Sequence, residues 1–217
     1  MDMLELMKQR HSVRQYSNKA IETQKQTILN EMISKINLEK DLHIQVFYNE
    51  PNCFNSAIAH YGKFTGVKNY IALVGKKSST LDETLGYYGE KLVLKIQELG
   101  LNSCWVALTH GKSQADILKN ESQRCLIAFG YGCTNGISHK SKSLKEVCNY
   151  TDSSPKWFLN GMEAVLLAPT AMNQQKFYFE LQSNDTVKAT HGTGFYSKLD
   201  LGIVKYHFEI ATQKSIS

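Results

Sequence analysis

The sequence predicts an α+β fold, because two different hydrophobic periods alternate along one chain. Leu85, Tyr88, Leu92, Ile96 and Leu99 recur at three- and four-residue spacing between Asp82 and Leu99, and Gly100 stands where such a helix would stop. Leu42, Ile44, Val46 and Tyr48 alternate with His43, Gln45 and Phe47, the two-residue period of a strand. The apolar runs Tyr70–Val74 and Cys125–Phe129 have the length of buried strands. With 42% apolar residues in 217, the chain can bury a full core as one domain, 1–217.

The remaining elements follow in order. Leu4 and Met7 share a face of a short amphipathic segment. Thr23 with Gln26 resembles a capping box, and Ile28, Leu29, Met32, Ile33 and Ile36 continue at helical spacing to about residue 37. Residues 49–68 read as a polar, turn-rich connection. Gly86 and Gly89 cost a helix roughly 1 kcal/mol each relative to alanine, a cost that points to close packing there by a helix, a second subunit or a flat cofactor. Pro155 suits the first turn of a helix with Trp157, Phe158, Met162, Val165 and Leu166 on its apolar face. Phe177, Phe179 and Leu181 alternate as a strand, and Leu201, Val204 and Phe208 mark a terminal helix.

The net charge of +5 comes from scattered lysines with no run of five like charges, and aromatics do not interleave with basic residues. No specific nucleic-acid binding is therefore expected. Five cysteines without a CxxC pair suggest neither a disulfide framework nor a metal site. An acidic second residue and the lack of a long apolar run point away from export and membrane spanning, so the expected setting is the cytoplasm.

The run Arg10-His-Ser-Val-Arg-Gln-Tyr16 places Arg10, His11 and Arg14 around the hydroxyl of Ser12. Guanidinium groups grip phosphate through paired charge-assisted hydrogen bonds, so a phosphate monoester is a suitable guest. A solvated basic helix end would explain the same residues.

This run resembles the opening of the nitroreductase family, and further stretches extend the likeness. Glu98-Leu-Gly-Leu-Asn-Ser-Cys-Trp105 resembles a family helix-to-strand unit, Gly130-Tyr-Gly132 the family's Gly-Tyr-Pro close, and Ala168-Pro-Thr-Ala-Met-Asn173 its Ala-Pro-Ser-x-x-Asn run. That last run comes late here, a permuted order similar to the TM nitroreductase subgroup. The resemblance implies a mixed, largely antiparallel sheet flanked by helices, with 151–217 as a C-terminal segment completing the flavin site.

The same resemblance implies FMN as cofactor. It assigns Arg10, His11, Ser12 and Arg14 to the phosphate and ribityl chain, Lys63 to a place near the pyrimidine ring, and backbone groups of Leu108 and Thr109 to the ring. It further assigns Lys140 and Lys142 to the phosphate, and Pro169, Thr170, Ala171 and Asn173 to the ring edge. Ordinary surface lysines, core packing of Cys104 and Trp105, and a purely local turn at Asn173 are the competing readings. The implied activity is FMN-dependent NAD(P)H oxidoreduction, by ping-pong hydride transfer through flavin N5, of nitro, quinone or related acceptors. The flavin carries that chemistry and no catalytic side chain is required. A small-molecule acceptor and a possible homodimer follow, and a non-catalytic flavin-binding or sensing protein is the alternative.

Overall fold

The computed structural model describes residues 2–216, which fall into two compact units. One comprises residues up to Lys8, Asp82–Lys91 and the chain from Ser138 onward; the other comprises Gln9–Leu81 and Leu92–Ile137. Among the described residues no helix is long and apolar enough to cross a membrane.

The sheet-bearing unit holds α2 (Thr23–Lys40), β1 (Gln45–Phe47), α3 (Ala57–Tyr61), β2 (Asn69–Lys76), the later turns of α4 (Leu81–Glu98), β3 (Asn102–Val106) and β4 (Glu121–Gly130). A helix α1 (Met3–Gln9) precedes them. The strands lie in the order β1-β2-β4-β3 and every neighbouring pair is antiparallel. Parallel pairing is confined to single bridges, Ser12 to Ser103 and Gln15 to Thr65 in this unit. Alternation along the pleat sends Tyr70, Ala72, Val74, Cys104, Val106, Leu126 and Ala128 into one core, where Phe54, Phe64, Val13 and Tyr16 join them.

The end of α4 is set by Gly100, which adopts φ +72°. Its N–H donates to Gln97 O at 2.9 Å, and Leu101 N–H donates to Ile96 O at 3.1 Å, the paired bonds of a Schellman stop. The capping box expected at Thr23 does not form. Glu22 is the N-cap, and the Gln26 carboxamide instead donates to Ile21 O at 2.8 Å. The polar connection 49–68 contains α3 and a short 3-10 turn, Asn52–Phe54, whose buried Cys53, Phe54 and Ala59 were hidden among polar neighbours.

The other unit holds α5 (Leu144–Val147), α6 (Lys156–Val165), β5 (Phe177–Leu181), β6 (Val187–His191), α7 (Ser197–Thr212) and the opening turns of α4. β5 and β6 form an antiparallel hairpin, of which sequence periodicity showed only the first strand. Phe158, Phe179 and Phe208 form a buried aromatic cluster. The close packing expected at Gly86 is another helix: a Cβ there would lie 2.0 Å from Leu199 O, and one on Gly202 would lie 1.9 Å from Glu83 O. His207 and Glu90, both fully buried, meet at 3.0 Å beside this crossing.

Gly202→Ala should therefore destabilise the protein by about 1–3 kcal/mol or more, as overpacking does, read from the urea midpoint. Gly192→Ala, whose Cβ would sit at an ordinary 3.4 Å from Lys176, should change the midpoint little. Equal effects of the two substitutions would contradict the helix crossing.

Candidate anion receptor and ring-turn sites

The Arg10–Tyr16 run is extended and is sewn into the sheet-bearing unit by its backbone. Val13 N–H donates to Ser103 O on the edge strand β3, Tyr16 N–H donates to Thr65 O, and Thr65 N–H returns to Arg14 O, each at 3.0 Å. Beyond them Ser17 N–H donates to Tyr131 O and Cys133 N–H to Gln15 O, both at 2.8 Å. The buried Tyr16 hydroxyl donates to Val13 O at 2.6 Å and lies 3.2 Å from Ala128 O. Burial pushes the Tyr16 phenol well above its ordinary value, so it stays a neutral anchor.

Arg10, Ser12 and Arg14 all act on the buried thiol of Cys104 in β3. Burial raises the Cys104 pKa, while Arg14, a hydrogen bond from Ser12 and Arg10 pull it back. Two guanidiniums and a hydroxyl are thus felt at one buried residue of β3. Arg10 is 3% exposed, and Arg14 is exposed with its guanidinium 6.0 Å from the Phe64 ring centroid.

His11 and Val13 lie against the turn 132–136. A Cβ on Gly136 would meet His11 Cβ at 2.8 Å, and one on Gly132 would meet Val13 Cγ1 at 2.9 Å. Burial, then the charge of Arg10, lowers the His11 pKa, so His11 contributes a neutral imidazole and the two arginines supply the charge. Gly132 stands where the sequence resemblance would place a proline. Its N–H donates to the Asn102 carboxamide at 3.0 Å, a bond that proline lacks the hydrogen to make.

Three other candidates lie in the same unit. Lys63 is exposed, with a left-handed φ of +63° directly after α3. Leu108 is 68% exposed, and Thr109 packs on Gly62, where a Cβ would sit 2.5 Å from Thr109 Cβ. Lys63 and Thr109 therefore flank one glycine.

The later candidates belong to the other unit, where they form a single hydrogen-bonded turn. Asn173 donates its side-chain amide to Lys140 O at 2.8 Å and accepts from Gln175 Nε2 at 3.0 Å. Lys140 contributes its carbonyl rather than its exposed ammonium. Lys142 Nζ donates to Gln175 O at 3.0 Å, and Lys142 N–H donates to Gln175 Oε1 at 2.9 Å. Thr170 Oγ1 accepts from Gln175 N–H at 3.1 Å. Met172, Asn173 and Gln175 all have left-handed φ between 47° and 53°, a concentration of strain that surrounding bonds must hold.

Asp200 is the brace that sequence reasoning missed. It is 1% exposed; its Oδ1 accepts from Ala171 N–H at 2.9 Å and its Oδ2 from Gln174 Nε2 at 2.8 Å. An acidic residue between Leu199 and Leu201 in an otherwise apolar stripe was the available signal. Burial pushes its carboxyl up to about 6, with both hydrogen bonds opposing that rise.

The folded carboxyl thus keeps its proton in a window, from about 4 to about 6, where the unfolded chain has lost it. Stability from this group is greatest below that window and falls as pH rises through it. The stability of wild type relative to Asp200→Asn should decline by up to about 3 kcal/mol across the window and level off above it. Urea midpoints at a series of pH values measure this; a flat difference would show that Asp200 does not ionise there.

A family profile described as "Putative TM nitroreductase" matches residues 2–212. The chain is similar to a "putative nitroreductase" from Thermotoga maritima MSB8, with a TM-score of 0.69 and 20% identity over 97% of this chain and 83% of that one. It is also similar to a "putative nitroreductase in complex with FMN" from Desulfovibrio desulfuricans, with a TM-score of 0.54 and 18% identity over 71% and 99% of the two chains. The nitroreductase family protein of Streptococcus pneumoniae TIGR4 gives 0.55 and 15% over 69% and 100%. At these identities the likeness is one of fold. No curated protein matches the sequence.

Proposed function

Since the chain belongs to the TM nitroreductase family, we propose that it is an FMN-dependent oxidoreductase whose Arg10–Arg14 run holds the cofactor phosphate. The observation that carries this reading is that Arg10, Ser12 and Arg14 all act on one buried residue, Cys104, beside a backbone pinned through Val13, Arg14 and Tyr16. The donor set fits a phosphate monoester: two planar guanidiniums and a hydroxyl, with no carboxylate within the run to compete. The fold shared with an FMN complex from another organism supports the same cofactor.

When bound, FMN supplies the two-electron chemistry, taking electrons from NADH or NADPH and passing them to a nitro, quinone or related acceptor. The chain's own residues bind and orient. Arg10, held in the protein interior, supplies a charge whose position is fixed, and Arg14 reaches solvent and suits capture of an incoming anion. His11 stays neutral at physiological pH, so a proton on its ring serves as a hydrogen-bond donor without adding to the charge.

Replacing Arg10 and Arg14 together by alanine should weaken FMN binding by on the order of 1.5–3 kcal/mol for each lost charge-assisted contact. Riboflavin, which lacks the phosphate, should lose much less. Flavin fluorescence titration reads both, and an FMN affinity equal to wild type would refute the assignment. Anaerobic bleaching of the bound flavin by NADH or NADPH separates an enzyme from a flavin-binding protein that does not turn over.

A further inference from the structure

We infer that Asn135 is a site of spontaneous deamidation, and that its conversion to isoaspartate disturbs the Arg10–Arg14 run. The sequence contains two Asn-Gly pairs, Asn135-Gly136 and Asn160-Gly161. In this reaction the glycine backbone nitrogen attacks the asparagine side-chain carbon. A C–N bond forms, the amide nitrogen leaves as ammonia, and a five-membered succinimide remains. One water then opens the ring at either carbonyl, giving aspartate or isoaspartate. Glycine in the second position favours the attack because no Cβ shields the nitrogen.

The two pairs share that glycine but differ in exposure and backbone freedom. Asn135 is exposed, and its carboxamide makes no hydrogen bond among the described residues. The Gly136 N–H has only a 3.3 Å contact to Thr134 Oγ1, in a turn where Gly136 adopts φ +72°. Asn160 instead lies inside α6, where main-chain N–H groups are committed to the helix. A Cβ on Gly161 would meet the Phe208 ring at 2.4 Å, so that backbone is also locked by packing. Ring closure at Asn160 requires local unfolding of α6; at Asn135 it does not.

The consequence follows from what Gly136 touches. Its Cβ position lies 2.8 Å from His11 Cβ, 3.0 Å from Ser12 O and 3.4 Å from Val13 Cγ2. Isoaspartate lengthens the main chain by one carbon at residue 135 and leaves a carboxylate where a neutral amide stood. Gly136 has no space to yield toward the run, so the added length displaces residues 11–13, and the new anion acts on a segment whose arginines are proposed to bind phosphate. The expected loss of FMN affinity rests on that flavin reading; the deamidation itself does not.

The test incubates the full chain in mildly alkaline buffer at 37 °C for several weeks. Peptide mass analysis follows the gain of one mass unit at each asparagine, with isoaspartate assigned by its methyltransferase. Asn135 should convert at least about tenfold faster than Asn160, and equal rates would overturn the inference. The isoaspartate fraction should titrate FMN several-fold more weakly than fresh protein, while Asn135→Gln, whose longer side chain cyclises slowly, should keep its affinity through the same incubation. Conversion with unchanged FMN affinity would overturn the coupling to the run. Fresh protein that binds no FMN would refute the flavin reading and leave the mass comparison decisive for the modification.

Discussion

The backbone pairing of residues 12–17 is the constraint on which the anion receptor depends. A free extended segment would carry its arginines into water as independent charges. Here each side of the segment bonds to a different partner: Ser103 on an edge strand, Thr65 in a turn, and Tyr131 and Cys133 after β4. A bond to an edge strand also removes an open donor-acceptor row that would otherwise invite another chain. Fixing the backbone of these six residues costs on the order of 1–2 kcal/mol each, and the burial of Val13 and Tyr16 among them offsets part of that. The polar face is therefore held in place by the apolar one.

That arrangement explains the unequal burial of the two arginines. An interior cation is costly unless hydrogen-bonded, and Arg10 sits where burial raises the neighbouring thiol and lowers the neighbouring imidazole. Both neighbours respond by remaining neutral, Cys104 protonated and His11 not. Neither side chain therefore adds a charge of its own beside the two arginines.

Much of this was legible in the sequence because it rests on local rules. The period of α4, the stop at Gly100 and the alternation of β5 each follow from a few consecutive residues. Less legible were elements whose apolar residues are few, such as α3, or whose capping competes: Gln26 serves Ile21 where a capping box with Thr23 was expected. The seven-residue receptor run could be found as a motif, yet its backbone bonds to Ser103, Thr65 and Tyr131, distant in sequence, could not. Asn173, Lys140 and Lys142 were assigned to the flavin through the family resemblance, and the bonds of the Asn173 carboxamide and the Lys142 ammonium within their own turn could not be read from it. Asp200 stood out only as an acid in an apolar stripe; its role was hidden because its partners, Ala171 and Gln174, are more than twenty residues away.

The buried pair in the other unit shows how proton placement constrains packing. His207 Nδ1 lies 2.9 Å from Ala164 O, and a carbonyl can only accept, so Nδ1 carries a hydrogen. His207 Nε2 faces Glu90 Oε1 at 3.0 Å, a second contact that also needs a hydrogen. Only one more proton is available between them, held either as imidazolium against carboxylate or as neutral imidazole against a protonated acid. In both cases the pair is neutral overall, which is what full burial permits. Breaking a buried pair of this kind costs roughly 3–5 kcal/mol. The crossing at Gly86 and Gly202 brings the helices close enough for that bond, so two glycines and one proton jointly fix the packing of α4 on α7.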